Sequence, residues 1–478
     1  MNILKNFVYN VGYQVLIIIV PLILAPYISR VVGPEGVGTY SYTYSIVSLF
    51  GLFANLGISK YGNREISKCG NDREKRSRVF SELISIKISC SIVVLAVYLC
   101  YVNVFGGEYS MALLLQVFNL LSFMFDISWF FWGMQEFRVT TTVCAIFNIL
   151  SVFFVFGFVR TEADTGIYIF IQAFRVFLIQ ACTWLFLPKY IDVRISWRYI
   201  TKRHWKSLLL LFFPVFAKYL YSMMDRIMIG NIVGITEVGY YENVQSITLT
   251  AVTVLTAIGD VVMPRMTLLY EQNNRKGVDR LFQAVFHLVS FIAVGMTFGF
   301  IGVADDFIPL YYGSKFATCV LLLQMIAPVV ILSGYSDLIR NVYLLPRYMD
   351  REYVMALMSG AAVNFVINFM LIGRLGSAGA IIGTVASECV VMVIQLWFVR
   401  SELQVKYFFK HMVIYCLLGS LILVPCSLLD CLKMNPLLNI VVDILAGGGV
   451  YAAGAFVYLY FGERKVLDSI KDIRTRKN

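Results

Sequence analysis

Apolar residues in this chain come in long runs, with polar residues gathered between them. A helix needs about 20 mostly apolar residues to cross a bilayer. Fourteen runs meet that length: 8–29, 37–59, 80–101, 110–132, 140–159, 166–187, 207–233, 239–262, 281–303, 317–343, 353–372, 378–399, 411–429 and 437–461. The predicted fold class is an all-α polytopic membrane protein with about 14 transmembrane helices. The first run follows Lys5 and continues through Pro21 and Pro26. It reads as a bent membrane helix rather than a short cleavable leader. The loops are short; the largest, near 60–79 and 188–206, are basic. They leave no room for a soluble catalytic domain.

Composition supports the same class. Of 478 residues, 59% are hydrophobic and 14% charged, whereas soluble domains carry about 25% charged residues. Such a chain could not solvate the surfaces of soluble domains, and its apolar content excludes a disordered or nucleic-acid-binding protein. The net charge of +11 reflects where Lys and Arg fall. With the N-terminus inside, the outer loops hold only Arg30, Arg160, Lys315, Arg374 and Lys433. Most of the other cations fall in inner segments, as the positive-inside rule requires. Both termini are thus predicted to be cytoplasmic, in the cell membrane. Trp129, Trp132, Trp184, Trp197, Trp205 and Trp397 fall near predicted inner ends, where an interfacial belt would lie. The ten Cys form no C-x-x-C pair and read as small buried hydrophobes. His204, His287 and His411 are scattered, so no metal site is expected.

The chain repeats itself. Residues 30–46, RVVGPEGVGTYSYTYSI, match residues 231–247, NIVGITEVGYYENVQSI. Gly33 aligns with Gly234, Val37 with Val238, Gly38 with Gly239, Tyr40 with Tyr241, and Ser45-Ile46 with Ser246-Ile247. Both copies join an odd span to the next even one. The match predicts two six-helix lobes, 1–200 and 201–400, followed by helices 13 and 14 with a basic tail in 401–478. Parallel halves of this kind enclose a central pathway with a substrate site near the midplane.

A charge at bilayer depth costs roughly 2.5–3.5 kcal/mol on insertion scales, so it should face a cavity or a partner. The cations within spans are Lys87, Arg175, Lys218, Arg226 and Arg340; the acids are Asp126, Asp225, Glu242, Asp260, Asp337, Glu388 and Asp443. Arg175, Lys218 and Glu388 fall nearest the middle of their spans. In helix 7, Lys218, Ser222, Asp225 and Arg226 share an arc of about 100°. Glu242, Gln245, Ser246, Thr253, Thr256 and Asp260 make a second polar stripe on helix 8. Both stripes are expected to line a water-filled space. Asp337 and Arg340, three apart, are expected to pair with each other. Lys218 and Arg175 have no in-helix partner and are candidates for the cavity. Arg30 reads equally as a site residue or an interface marker. Glu388 could titrate or pair with one of the central cations. No phosphate loop, nucleophile triad or ligand cluster is present in the sequence.

Three stretches carry a family resemblance: ISRVVGPEGVGTYSYTYSIVSLFGLFANLGISKYGNREIS (28–67), MMDRIMIGNIVGITEVGYYENVQSI (223–247) and NFVINFMLIGRLGSAGAIIGTVASE (364–388). They are similar to the bacterial oligosaccharide flippases. These are the Wzx-type polysaccharide transporters of the multidrug/oligosaccharidyl-lipid/polysaccharide exporter superfamily. The resemblance runs through about residue 400 and does not specify the cargo. It implies two MATE-like six-helix lobes with helices 13 and 14 peripheral. It also implies alternating access that moves an undecaprenyl-pyrophosphate-linked oligosaccharide for surface polysaccharide synthesis. The family's cationic cavity points to Lys218, Arg226, Arg175 and Arg30, with Asp225 beside them. Glu388 and Asp225 are candidates for coupling to a proton or sodium gradient; no other cofactor is expected. The expected partners are the lipid-linked oligosaccharide, membrane lipids, a polysaccharide polymerase and glycosyltransferases, with no nucleic acid. A multidrug cation antiporter and a lipid II flippase of the same superfamily are the alternatives. An enzyme, such as a polymerase, would need a sizeable outer loop.

Overall fold

The computed structural model describes residues 3–192, 203–429 and 435–463, without the side chains of residues 3–18, 214, 217, 218 and 221. Among the described residues every regular element is helical. Twelve helical segments are long and apolar enough to cross a membrane. One of them, Ile19–Lys68, takes in the end of the first predicted run and the whole of the second, and a further helix, Trp205–Ile232, covers the seventh.

The chain divides into two compact units, Met1–Gly239 and Tyr240–Asn478. Unit 1 contains α1 (Ile3–Asn55), α2 (Ile58–Lys68), α3 (Arg73–Phe105), α4 (Ser110–Leu115), α5 (Val117–Phe125), α6 (Ser128–Gly133), α7 (Phe137–Phe158), α8 (Thr165–Thr183) and α9 (Trp205–Ile232). The boundary falls near the start of α10 (Ile235–Glu271). Unit 2 continues with α11 (Arg275–Tyr312), α12 (Cys319–Ile326), α13 (Pro328–Ile339), α14 (Asp350–Leu375), α15 (Ser377–Val399), α16 (Val405–Ser420), α17 (Leu423–Leu429) and α18 (Pro436–Gly462).

The break between the first two spans lies at Gly33, within the predicted 30–36 joint; Pro21 and Pro26 remain inside the helix. Gly33 takes φ 70°, ψ −177°. A side chain is disfavoured at that φ, and Pro34 next to it has no N–H to give. Its repeat counterpart Gly234, between α9 and α10, also has positive φ, 134°. The repeat therefore marks two places where the chain must leave helical geometry.

The two copies of the repeat also touch. A methyl group added to Gly38 would overlap the carbonyl oxygen of Ile235, and one added to Gly239 would overlap that of Pro34. Gly38 corresponds to Gly239 and Pro34 to Ile235. Each copy thus presents its glycine to the other's backbone, the reciprocal pattern that a local two-fold produces. Gly230 receives the Tyr42 ring in the same region.

The predicted fourth span is three helices, α4, α5 and α6, interrupted at Gln116 and at Asp126-Ile127. Irregular backbone at membrane depth persists only where protein or a wet cavity satisfies it. Here Gln116 is fully buried, and Asp126 meets Lys87. The tenth span breaks at Ala327 and ends in a π-helical turn, Arg340–Leu344.

In unit 1, Phe80 stacks on Trp129 at 5.4 Å and meets Phe130 edge-on. Trp129 is wholly buried and donates from Nε1 to the Asp126 carbonyl at 3.2 Å. It is a core residue rather than part of an interfacial belt. Phe118 of α5 wedges against Phe170 and Phe174 of α8. In unit 2, Phe286 of α11 stacks on Tyr335 of α13 and contacts Phe408 of α16. Tyr451 of α18 stacks on Phe291 at 5.1 Å. Through these rings α16 and α18 are built into the core of unit 2. Cys100 and Cys389 are exposed, whereas Cys69, Cys319 and Cys426 are buried as expected.

Candidate functional site

Polar side chains in unit 1 gather where α1 beyond its kink meets α5 and α9. The sequence SYTYSIVS at 41–48 sends Ser41, Thr43, Ser45 and Ser48 into buried positions. Ser41, Ser45 and Ser48 share one face of the helix, whereas Thr43, two residues from its neighbours, turns to another side and meets a different partner. Gln116 Nε2 donates to Thr43 Oγ1 at 3.1 Å, and Asn119 Nδ2 donates to Gln116 Oε1 at 2.5 Å. Tyr42 Oη donates to Asn231 Oδ1 at 2.7 Å. Tyr219 Oη donates to the Ser45 carbonyl, which ties α9 to α1. Ser45 Oγ also lies 3.9 Å from Met223 Sδ.

The helix 7 stripe borders this band. Asp225 and Arg226 are almost wholly buried. Arg226 Nη1 donates to the Ser222 carbonyl at 2.7 Å and lies 3.5 Å from Met223 Sδ. The Lys218 side chain lies outside the described residues. Arg30 sits three residues before the Gly33 break and is exposed.

Lys87, one of the cations at depth, is fully buried on α3. Its Nζ donates to the Asp126 carbonyl at 2.7 Å and lies 3.4 Å from Asp126 Oδ2. Asp126 Oδ1 in turn accepts from the Ser128 amide at 2.9 Å. The pair thus neutralises itself inside unit 1 and closes the break before α6.

Arg175 is placed differently. It lies at the middle of α8 and is half-buried. Nη1 donates to Asn148 Oδ1 on α7, and Nε is buried with no hydrogen-bond partner among the described residues. An amide carries no charge, so the guanidinium keeps its full positive charge. No ion pair joins it to a carboxylate among the described residues. Arg175 lines a cleft of about 490 Å³ between α7 and α8, whose other walls include Phe147, Phe154, Phe158, Phe170 and Phe174. Phe154, Phe158 and Phe170 are exposed, so the cleft opens on the surface of unit 1. A cation beside an apolar slot suits a ligand with an anionic group next to a hydrocarbon chain.

In unit 2 the Asp337–Arg340 pair is present, Nη1 to Oδ1 2.8 Å. Thr256 Oγ1 donates to Asp337 Oδ2, so part of the helix 8 stripe binds to α13. Thr253 and Asp260 of that stripe are exposed, whereas Gln245 is buried. Glu388 is half-buried on α15. Gln116, Asn148, Tyr42 and Asn231 were not singled out in the sequence. The signal for the first was present, since Gln116 and Asn119 are three apart in an otherwise apolar run. Asn148 is a single amide whose role depends on a residue 27 positions away.

This architecture defines a class: a helical membrane protein with the fold shared by lipid-linked-glycan flippases and multidrug exporters. The chain resembles the solved lipid II flippase MurJ in its inward closed conformation, with a TM-score of 0.73 at 15% identity, covering 95% of this chain and 99% of that one. It resembles an inward-facing multidrug resistance MATE family transporter with a TM-score of 0.62 at 12% identity, covering 86% and 96%. At such identities the likeness speaks for the fold. The sequence goes further: residues 3–269 match the polysaccharide biosynthesis protein family, and the chain belongs to that family, as a Wzx-type member. It is 24% identical over 405 residues to a "Putative O-antigen transporter" of Escherichia coli (strain K12), covering 83% of this chain and 97% of that one. It is also 23% identical over 245 residues to a "Probable low-salt glycan biosynthesis flippase" of Haloferax volcanii, covering 50% and 51%.

Proposed function

We propose that this protein moves an undecaprenyl-pyrophosphate-linked oligosaccharide repeat unit from the cytoplasmic to the outer leaflet of the cell membrane. It does so by alternating access, for the synthesis of a surface polysaccharide. The observation that carries the reading is Arg175. It is a mid-span cation held by an amide rather than a carboxylate, lining a phenylalanine-walled cleft. A glycan diphosphate cannot enter hydrocarbon alone, since isolated ionised groups cost tens of kcal/mol there by Born estimates. A guanidinium offers planar, bidentate donors to such an anion. The aromatic slot beside it offers the isoprenoid an apolar surface. A cationic drug would be repelled by the same charge, which favours this reading over a multidrug antiporter.

Arg226, Lys218 and Arg30 are the further candidate contacts to the substrate, with Asp225 beside them. Asp225 and Glu388 are the acids through which a proton or sodium gradient acts in this proposal. The charge bias of the loops supports both termini in the cytoplasm, where in this reading glycosyltransferases supply the substrate; a polymerase consumes it on the other side. Replacing Arg175 by Gln should lower surface polysaccharide at least tenfold, about 1.4 kcal/mol, with normal protein abundance. Leaflet-to-leaflet transfer of the lipid-linked unit in proteoliposomes is the direct assay. Unchanged transfer by the Arg175→Gln protein would remove that residue from the site. Absence of transfer by the wild type, across donor glycans, would remove the function.

A further inference from the structure

A cluster of titratable side chains lies in unit 2, apart from every residue proposed above to contact the substrate. His287 of α11 and His411 of α16 are both almost wholly buried. Their ring centroids are 5.4 Å apart. His287 Nδ1 lies 3.1 Å from Tyr415 Oη, and its Nε2 lies 2.9 Å from Tyr407 Oη. His411 Nδ1 bonds Tyr458 Oη of α18, and its Nε2 lies 3.5 Å from Glu463 Oε1. The Tyr407 ring rests on His411 with centroids 3.9 Å apart. Glu463 follows the end of α18, and its side chain is 23% exposed, against 2% for His411. It therefore gives the buried pair a route to solvent.

The partners of the four ring nitrogens make the arrangement unusual. Three are hydroxyls and one is a carboxylate. A hydroxyl donates to a bare ring nitrogen and accepts from an N–H simply by turning its proton. Each imidazole can therefore gain or lose a proton while every heavy atom stays in place, with the three hydroxyl bonds kept and Glu463 Oε1 3.5 Å from the fourth nitrogen. A purely structural histidine, pinned between fixed donors and acceptors, lacks that freedom. The titratable groups around the pair lie on three helices and just beyond the last. Tyr407, Lys410 and Tyr415 on α16, Tyr458 on α18 and Glu463 beyond it face the rings, while Tyr335 on α13, Cys416 on α16 and Tyr451 on α18 lie in turn beside Tyr415. Tyr335 Oη donates to Ser290 Oγ at 3.0 Å, one turn beyond His287 on α11. Of these groups Glu463 supports a positive charge and Lys410 opposes it. With one carboxylate for two imidazoles in contact, a second proton would meet like charge.

We propose that the His287–His411 cluster is a proton-binding site that exchanges one proton with water at Glu463. The step makes a single N–H bond, with hydronium as the donor and water left behind. The proposal is independent of the transport reading, because it is read on the protein alone. Full-length protein labelled with ¹⁵N-histidine, in lipid nanodiscs, is titrated from about pH 9 to about pH 4, the range over which perturbed imidazoles change charge. Ring ¹⁵N shifts report each ring's protonation. The chain has only three histidines, and His204→Gln removes the signal of the one outside the cluster. The expected result is uptake of one proton by the pair. Glu463→Gln should lower the midpoint by at least one pH unit, a tenfold weaker proton affinity. Tyr458→Phe keeps the ring and removes the hydroxyl on Nδ1; it should shift the midpoint in the same direction and serves if the first variant does not fold. Two rings that stay neutral throughout, two that protonate together, or a midpoint unmoved in the folded variants would each overturn the site.

Discussion

The reciprocal glycine contact gives the sharpest test of the fold. Gly38→Ala puts a methyl group into the Ile235 carbonyl, and Gly239→Ala puts one into the Pro34 carbonyl. In both cases the obstacle is backbone, which cannot swing aside as a side-chain tip can. Overpacking costs about 1–3 kcal/mol, and a rigid obstacle argues for the upper end. Alanine also gains about 0.5–1 kcal/mol over glycine inside a helix. Each single substitution should therefore destabilise by about 2 kcal/mol. One small separation of the two segments relieves both clashes, so the double variant should cost clearly less than the sum of the singles. Gly299→Ala on α11 is the control, because nothing lies within 4 Å of the added methyl; it should be neutral or stabilising. Unfolding of the purified proteins in detergent, followed by tryptophan fluorescence against denaturant, reads all four. Gly38→Ala as stable as Gly299→Ala, or two singles that simply add, would refute the reciprocal packing.

Lys87→Ala removes a fully buried cation and leaves the half-buried Asp126 unpaired, which should cost about 3 kcal/mol, the lower end for breaking a buried pair; Lys87→Met with Asp126→Asn should recover part of it, measured by the same unfolding assay. Because Lys87 is already paired, its variant should lower protein abundance rather than transfer per molecule, whereas Arg175→Gln should do the reverse. Asn274 caps α11 by accepting from the Gly277 amide at 2.9 Å, so Asn274→Ala should lose about 1 kcal/mol by the same measurement; no loss would mean that water replaces the cap.

Much of the arrangement was legible because it repeats or lies within one helix. The apolar runs gave the spans, since a bilayer fixes their length. The repeated glycines could be paired from the sequence, because their spacing to the shared Val, Tyr and Ser-Ile positions is the same in both copies. Asp337 with Arg340 could be read because three residues make one helical turn. The joint between the first two spans was legible at 30–36, where the apolar runs part; that Gly33 is the residue taking positive φ there was not singled out. Trp129 fell where a belt residue would, yet Phe80 and Phe130 enclose it.

What the sequence determined by itself was the class of solvent, the number and order of spans, and where the two related segments begin. Those follow from short-range chemistry: apolar length, loop charge and residues that favour or forbid helical backbone. The tertiary structure decided which charges are spent. Lys87 finds Asp126, 39 positions away, Arg175 finds, among the described residues, the amide of Asn148 and no carboxylate, and His287 finds tyrosines more than 100 positions on. No periodicity reports a partner on another span, because depth along each helix and the face it turns are set jointly by all the helices that pack against it. Whether a buried cation is neutralised or left available is therefore a property of the packing.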